Sequence, residues 1–174
     1  MESAIKKNGT TYGIIIGVVG ILSATIVYAL QLYTAWWLSV LGLVISIALY
    51  CVMLSKTKKE MGGVFSFKQA FTTFFIAAVL AILIGTLYNV VLYNFVDPGA
   101  KEIVKEQSIK ATVSIMEGFD APAASINEAV EKLQKEDQFS IGTLFTNAVV
   151  AIAISCVLGL ILALIFKSRP TYKE

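Results

Sequence analysis

The stretch DPGAKEIVKEQSIKATVSIMEGFDAPAASINEAVEKLQKEDQ, Asp97 to Gln138, is the long polar segment of an otherwise apolar chain, and its position decides how the rest is threaded. Asp97-Pro98 ends or kinks whatever helix precedes it, because proline lacks an N–H and pushes the residue before it out of the α region. The same pair can open a new helix, with Asp97 as N-cap and Pro98 in the first turn. From Gly99 to Glu117 the sequence is helix-compatible. Ile109, Val113 and Met116 share one face, and Lys101, Glu102, Lys105 and Glu106 supply polar sides. Gly118 and Pro122 bracket a turn. Ser125 and Glu128 form a capping box, and Ile126, Ala129, Val130 and Leu133 then repeat at helical spacing. The segment therefore predicts a helical hairpin, apolar faces together, lying outside a membrane.

The flanks of this segment predict four membrane spans. The chain is 57% hydrophobic and only 15% charged, with a mean hydropathy of +0.77. A soluble domain carries about 25% charged residues, so this balance belongs to membrane proteins. The expected spans cover about 11–32, 37–54, 69–96 and 139–166. The first follows Lys6-Lys7, as a signal peptide would. Its apolar run is too long for a signal h-region, and Ala29-Leu30-Gln31 makes a poor cleavage site, so it is expected to be a retained helix. Tyr33, Trp36 and Trp37 suit the membrane–water boundary. Ser66 is expected to N-cap the third helix.

Small residues recur every four positions on each span, which places them on one face and lets helices approach closely. They are Gly9, Gly13 and Gly17; Gly42 and Ser46; Ala77, Ala81 and Gly85; and Ala151, Ser155, Gly159 and Ala163. These are the expected helix-packing residues. Asp97 and Pro98 are the expected helix break.

Charge orients the spans. Lys6, Lys7, Lys56, Lys58, Lys59, Lys68, Lys167, Arg169 and Lys173 lie on the two termini and the central loop. Three acids, Glu2, Glu60 and Glu174, oppose them, for a net +6, whereas 97–138 has five lysines and nine acids, a net −4. The positive-inside rule makes the first side cytoplasmic and leaves 97–138 external.

Several function classes recede on this reading. A net charge of +2 gives nucleic acid little to bind,. The absence of histidine removes the commonest general base and metal ligand,. Cys51 and Cys156 sit inside apolar spans and read as small apolar residues. No charged residue lies within the spans, which argues against proton-coupled transport. Gly62-Gly63 lacks the Gly-Lys-Ser/Thr ending of a phosphate loop. Gln31, Thr72, Thr73, Asn89, Asn94, Asn147 and Ser155 read as interhelical hydrogen-bonding groups. The acids of 97–138 read as a solvated face, and Lys56–Lys59 reads as a topology signal that anionic lipid would also attract.

These residues resemble a family of small bacterial four-helix inner-membrane proteins, family 4199 in domain-of-unknown-function numbering. The resemblance rests on the Gly-rich first span after Lys6-Lys7 and on Lys58-Lys59-Glu60-Met61-Gly62-Gly63-Val64-Phe65-Ser66-Phe67-Lys68-Gln69-Ala70-Phe71. It rests also on Tyr93-Asn94-Phe95-Val96-Asp97-Pro98 and the Glu/Lys-rich segment that follows. It implies an integral inner-membrane protein and supplies no catalytic residues.

The expectation is thus an all-α, four-transmembrane-helix bundle with an external helical hairpin between spans 3 and 4, one domain over residues 1–174. It is non-enzymatic, needs no cofactor and acts through helix and hairpin contacts. Its partners are the lipid bilayer and a second copy or another membrane protein. The alternative is a small oligomeric channel or transport component.

Overall fold

The computed structural model describes residues 2–32 and 35–168, and no side chain is described for Trp36. The boundary roles expected of Tyr33 and the Trp36 ring, and the tail charges Arg169, Lys173 and Glu174, lie outside the described residues. Among the described residues the chain is all helical: α1 (Glu2–Ala29), α2 (Trp36–Glu60), α3 (Phe67–Val91) continued by a π turn (Leu92–Val96), α4 (Ala100–Gly118), α5 (Ala123–Lys135) and α6 (Ile141–Phe166). Four helices have the length and composition of membrane spans: Glu2–Ala29, Trp37–Glu60, Phe67–Val96 and Ile141–Phe166.

Two helices extend well beyond the apolar runs. Helix α1 starts at Glu2 rather than near 11, and α2 continues through Lys56–Glu60. Lys and Glu are good helix formers, so the helix outlasts the apolar segment that a hydropathy reading measures. The expected Lys56–Lys68 loop shrinks to Met61–Ser66. Helix α1 also stops early, at Ala29. Its end is a Schellman turn, with Gln31 N–H on Tyr28 O and Leu32 N–H on Val27 O, and Gln31 takes the left-handed position at φ 52°,. Helix α2 closes in the same way on Gly62 (φ 73°), and α4 on Asp120 (φ 52°).

Ser66 caps α3 as expected. Its Oγ accepts the Gln69 N–H while Gln69 Oε1 accepts the Ser66 N–H, a reciprocal capping box,. The Ser125–Glu128 box does not form. Helix α5 begins three residues earlier, at Ala123, with Pro122 at its N-cap and no side-chain cap. Pro122, already extended at φ −59° and ψ 140°, presents its carbonyl to the N–H groups of Ser125 and Ile126, which draws Ser125 into the first turn.

Helix α3 is the shared partner of the long helices, packing α1 on one side and α6 on another. Gly9, Gly13 and Gly17 meet Ile76, Ala77 with Leu80, and Ile84 in ascending order, so α1 and α3 run parallel. Gly159 of α6 meets Phe74 and Phe71, while the Phe139 ring packs at a tilt against Tyr93, so α6 runs antiparallel to α3. The main core gathers Met53, Leu54, Phe65, Phe74, Ala77 and Ala163. A smaller one holds Leu92, Tyr93 and Ala100. In the most apolar window of each span only 17–22% of the residues are buried within the chain, and the rest are half-buried or exposed.

Candidate functional site

Polar side chains converge where α3 ends. The π turn begins the site: Asp97 N–H reaches back five residues to Leu92 O at 2.8 Å. Such a turn interrupts the ordinary four-residue ladder and is common at functional positions. The Asn94 amide donates to Val90 O on its own helix (3.2 Å) and to Phe139 O ahead of α6 (3.0 Å). Asn94 Oδ1 accepts from Lys101 Nζ of α4 at 2.9 Å. Lys101 also lies 3.8 Å from the Asp137 carboxylate.

Asp97 divides its carboxylate between two helices. Oδ1 accepts the Ala100 N–H at 3.2 Å, although Gly99 rather than Asp97 is the N-cap of α4 and Pro98 precedes the helix, and Oδ2 accepts the Tyr28 hydroxyl of α1 at 2.7 Å. Asp97 itself is non-helical, at φ −140° and ψ 79°, so Asp97-Pro98 separates two helices rather than kinking one. Lys105 Nζ, one turn further along α4, donates to Gln134 O near the end of α5 at 2.7 Å. Lys101 and Lys105 face the 135–139 segment across an open cleft of about 230 Å³. Asn94 and Asp97 thus join α1, α3, α4 and the segment that leads into α6.

Helices α4 and α5 are in contact, joined by the turn at 119–122. Ile109, Val113, Met116, Ile126, Ala129, Val130 and Leu133 are all half-buried, and none is fully enclosed. Phe119 at the turn is 83% exposed.

The opposite end is tied by a second polar group. Asn8, 2% exposed, donates to Thr57 Oγ1 at 3.1 Å and to Glu60 Oε2 at 2.8 Å. Lys58 Nζ donates to Phe166 O at the end of α6, at 3.1 Å. Ser168 Oγ accepts the Phe65 N–H and donates to Gly63 O. The start of α1, the end of α2, the α2–α3 loop and the end of α6 therefore share one end of the molecule.

The small residues divide. A Cβ on Gly13 would lie 2.9 Å from both Cα and O of Ala77; Gly9 and Gly17 are as tightly placed, and a Cβ on Gly159 would lie 2.5 Å from the Phe74 ring. Ala77 and Ala163 are fully buried, and Ala81 packs on the core. Gly42 and Gly85 have nothing within 4 Å of a Cβ position, and Ala151 is exposed. Ser46 and Ser155 bond back to carbonyls of their own helices, as does Thr73. Of the membrane polar residues expected to bridge helices, Asn94 does so. Asn8, Tyr28 and Thr57 were not singled out from sequence. The signal available for Asn8 was a lone amide beside, not on, the Gly9–Gly13–Gly17 face,.

Chemically, the junction offers hydrogen-bond donors and acceptors engaged with one another. Among the described residues no three His, Cys, Asp or Glu side chains gather as a metal-binding group. No curated protein and no solved structure matches the chain. A family model does match, over residues 11–168, nearly the whole chain, and carries the description "Protein of unknown function (DUF4199)". With its four apolar span-length helices, the chain belongs to the DUF4199 family.

Proposed function

We propose that the protein is a non-enzymatic, multi-pass inner-membrane protein that works through contacts. Its termini are cytoplasmic, and α4–α5 forms an external helical hairpin latched onto the span ends. The observation that carries this reading is the Asn94–Asp97 junction. The polar side chains gathered there are spent on joining α1, α3, α4 and the approach to α6, which supports a rigid platform for the α4–α5 surface. The net −4 of 97–138 against the basic opposite end supports the orientation,. The mostly uncovered spans support association with a second copy or another membrane protein.

Two measurements test this. Purified protein in liposomes is expected to give no ion or solute flux above empty liposomes, and flux would favour the channel reading. Gentle extraction with native mass measurement is expected to yield the protein in a defined assembly, with itself or with one stoichiometric partner. A monomer that carries nothing would count against a contact role.

A further inference from the structure

We propose that the cleft between the N-terminal ends of α1 and α3 binds the phosphate headgroup of an anionic phospholipid, held by Lys6 and Lys68. The cleft has a volume of about 280 Å³ and is lined by Glu2, Ile5, Lys6, Lys68, Gln69 and Thr72. Because α1 and α3 run parallel, both positive helix-dipole ends face the same side as the two ammonium groups,. Two other lysines at this end are occupied: Lys56 lies over the Tyr12 ring and Lys58 holds the Phe166 carbonyl. Among the described residues Lys6 and Lys68 have no ion pair or hydrogen bond, and both are exposed.

The neutral lining suits a phosphate. Gln69 spends its Oε1 on the Ser66 N–H, which leaves its amide N–H groups as donors, and the Thr72 hydroxyl adds another,. Glu2 opposes an anion; it pairs with neither lysine and sits one turn before Lys6. A lipid fits better than free phosphate because the cleft opens at the end of two apolar spans. One turn beyond Thr72 on the same face of α3, Phe75 is 39% exposed and continues as an apolar track for an acyl chain,. Basic pockets between transmembrane helices recognise anionic headgroups by this charge and depth.

The proposal rests on the bilayer placement above but not on which side this end faces. Resistance to alkaline carbonate extraction tests that placement separately. The test itself is native mass spectrometry of the full chain in maltoside micelles, titrated with phosphatidylglycerol or phosphatidylcholine. Phosphatidylglycerol is expected to bind more tightly. Lys6→Gln with Lys68→Gln should weaken it about tenfold or more, from two charges near a headgroup, and leave phosphatidylcholine unchanged. The charge-matched pair Lys7→Gln with Lys59→Gln should change it less than threefold. Glu2→Gln should strengthen it, an arm that stands even if the double variant folds poorly. Equal loss in the charge-matched pair, or equal binding of the two lipids, would overturn the site. Displacement by excess inorganic phosphate would make it a free-anion site and overturn the lipid assignment.

Discussion

Gly13, Gly42 and Gly62 carry the same side chain and three different physical roles. Gly13 lets α1 lie against α3, and a Cβ there meets backbone atoms of Ala77 that cannot rotate away. Gly13→Leu is expected to cost about 1–3 kcal/mol, the usual range for overpacking a close contact, read as a lower unfolding midpoint in detergent. Gly42 sits in open space inside a helix. Gly42→Ala should be neutral or gain up to about 1 kcal/mol, because glycine is the poorer helix former. Gly62 also has open space, but its φ is +73°, so Gly62→Ala should lose about 1 kcal/mol through backbone strain alone. A loss at Gly42 equal to that at Gly62 would contradict the assignment. The four-residue spacing made Gly9, Gly13 and Gly17 legible as a packing face. It did not separate them from Gly42 and Gly85, because lipid is as apolar as a neighbouring helix and hydrophobicity carries no information about which face is covered.

At the scale of elements, the junction of α3 with α4 and α6 depends on a few side-chain bonds. Tyr28→Phe removes a hydroxyl from the Asp97 carboxylate, worth about 1.5–3 kcal/mol for a bond to a charged group,. Asn94→Leu removes the ties to Phe139 O and Lys101 Nζ, about 1–2 kcal/mol together,. Both variants should speed amide exchange in α4 and α5 while leaving the α1–α3 contact protected, measurable by hydrogen-exchange mass spectrometry. Uniform acceleration along the chain would show instead that these bonds support the whole fold. The sequence made much of this level readable: Ser66 with Gln69 at the start of α3, the break at Asp97-Pro98, and the turn between Gly118 and Pro122. The π turn was not readable, since it arises from how Asn94 and Asp97 are held by distant groups rather than from local propensity. The Ser125–Glu128 motif misled because Pro122 already supplied a helix start upstream.

The whole molecule is a set of long helices gathered on α3, tied by polar groups at both ends and sparsely buried between them. Composition alone revealed the four spans and the polar insertion, because membrane spanning requires about 20 apolar residues per helix. The true helix lengths were hidden, since α1 and α2 continue into charged sequence where hydropathy falls but helix propensity does not. In the proposed threading both described ends of the chain lie on one side of the bilayer and α4–α5 on the other. The direct measurement is labelling of single cysteines by a membrane-impermeant maleimide in intact cells, after Cys51→Ala and Cys156→Ala. Ala121→Cys, in the α4–α5 turn, should label without permeabilisation, and Lys59→Cys, at the end of α2, only after it. Labelling of Lys59→Cys in intact cells with Ala121→Cys protected would invert the molecule and contradict the external hairpin.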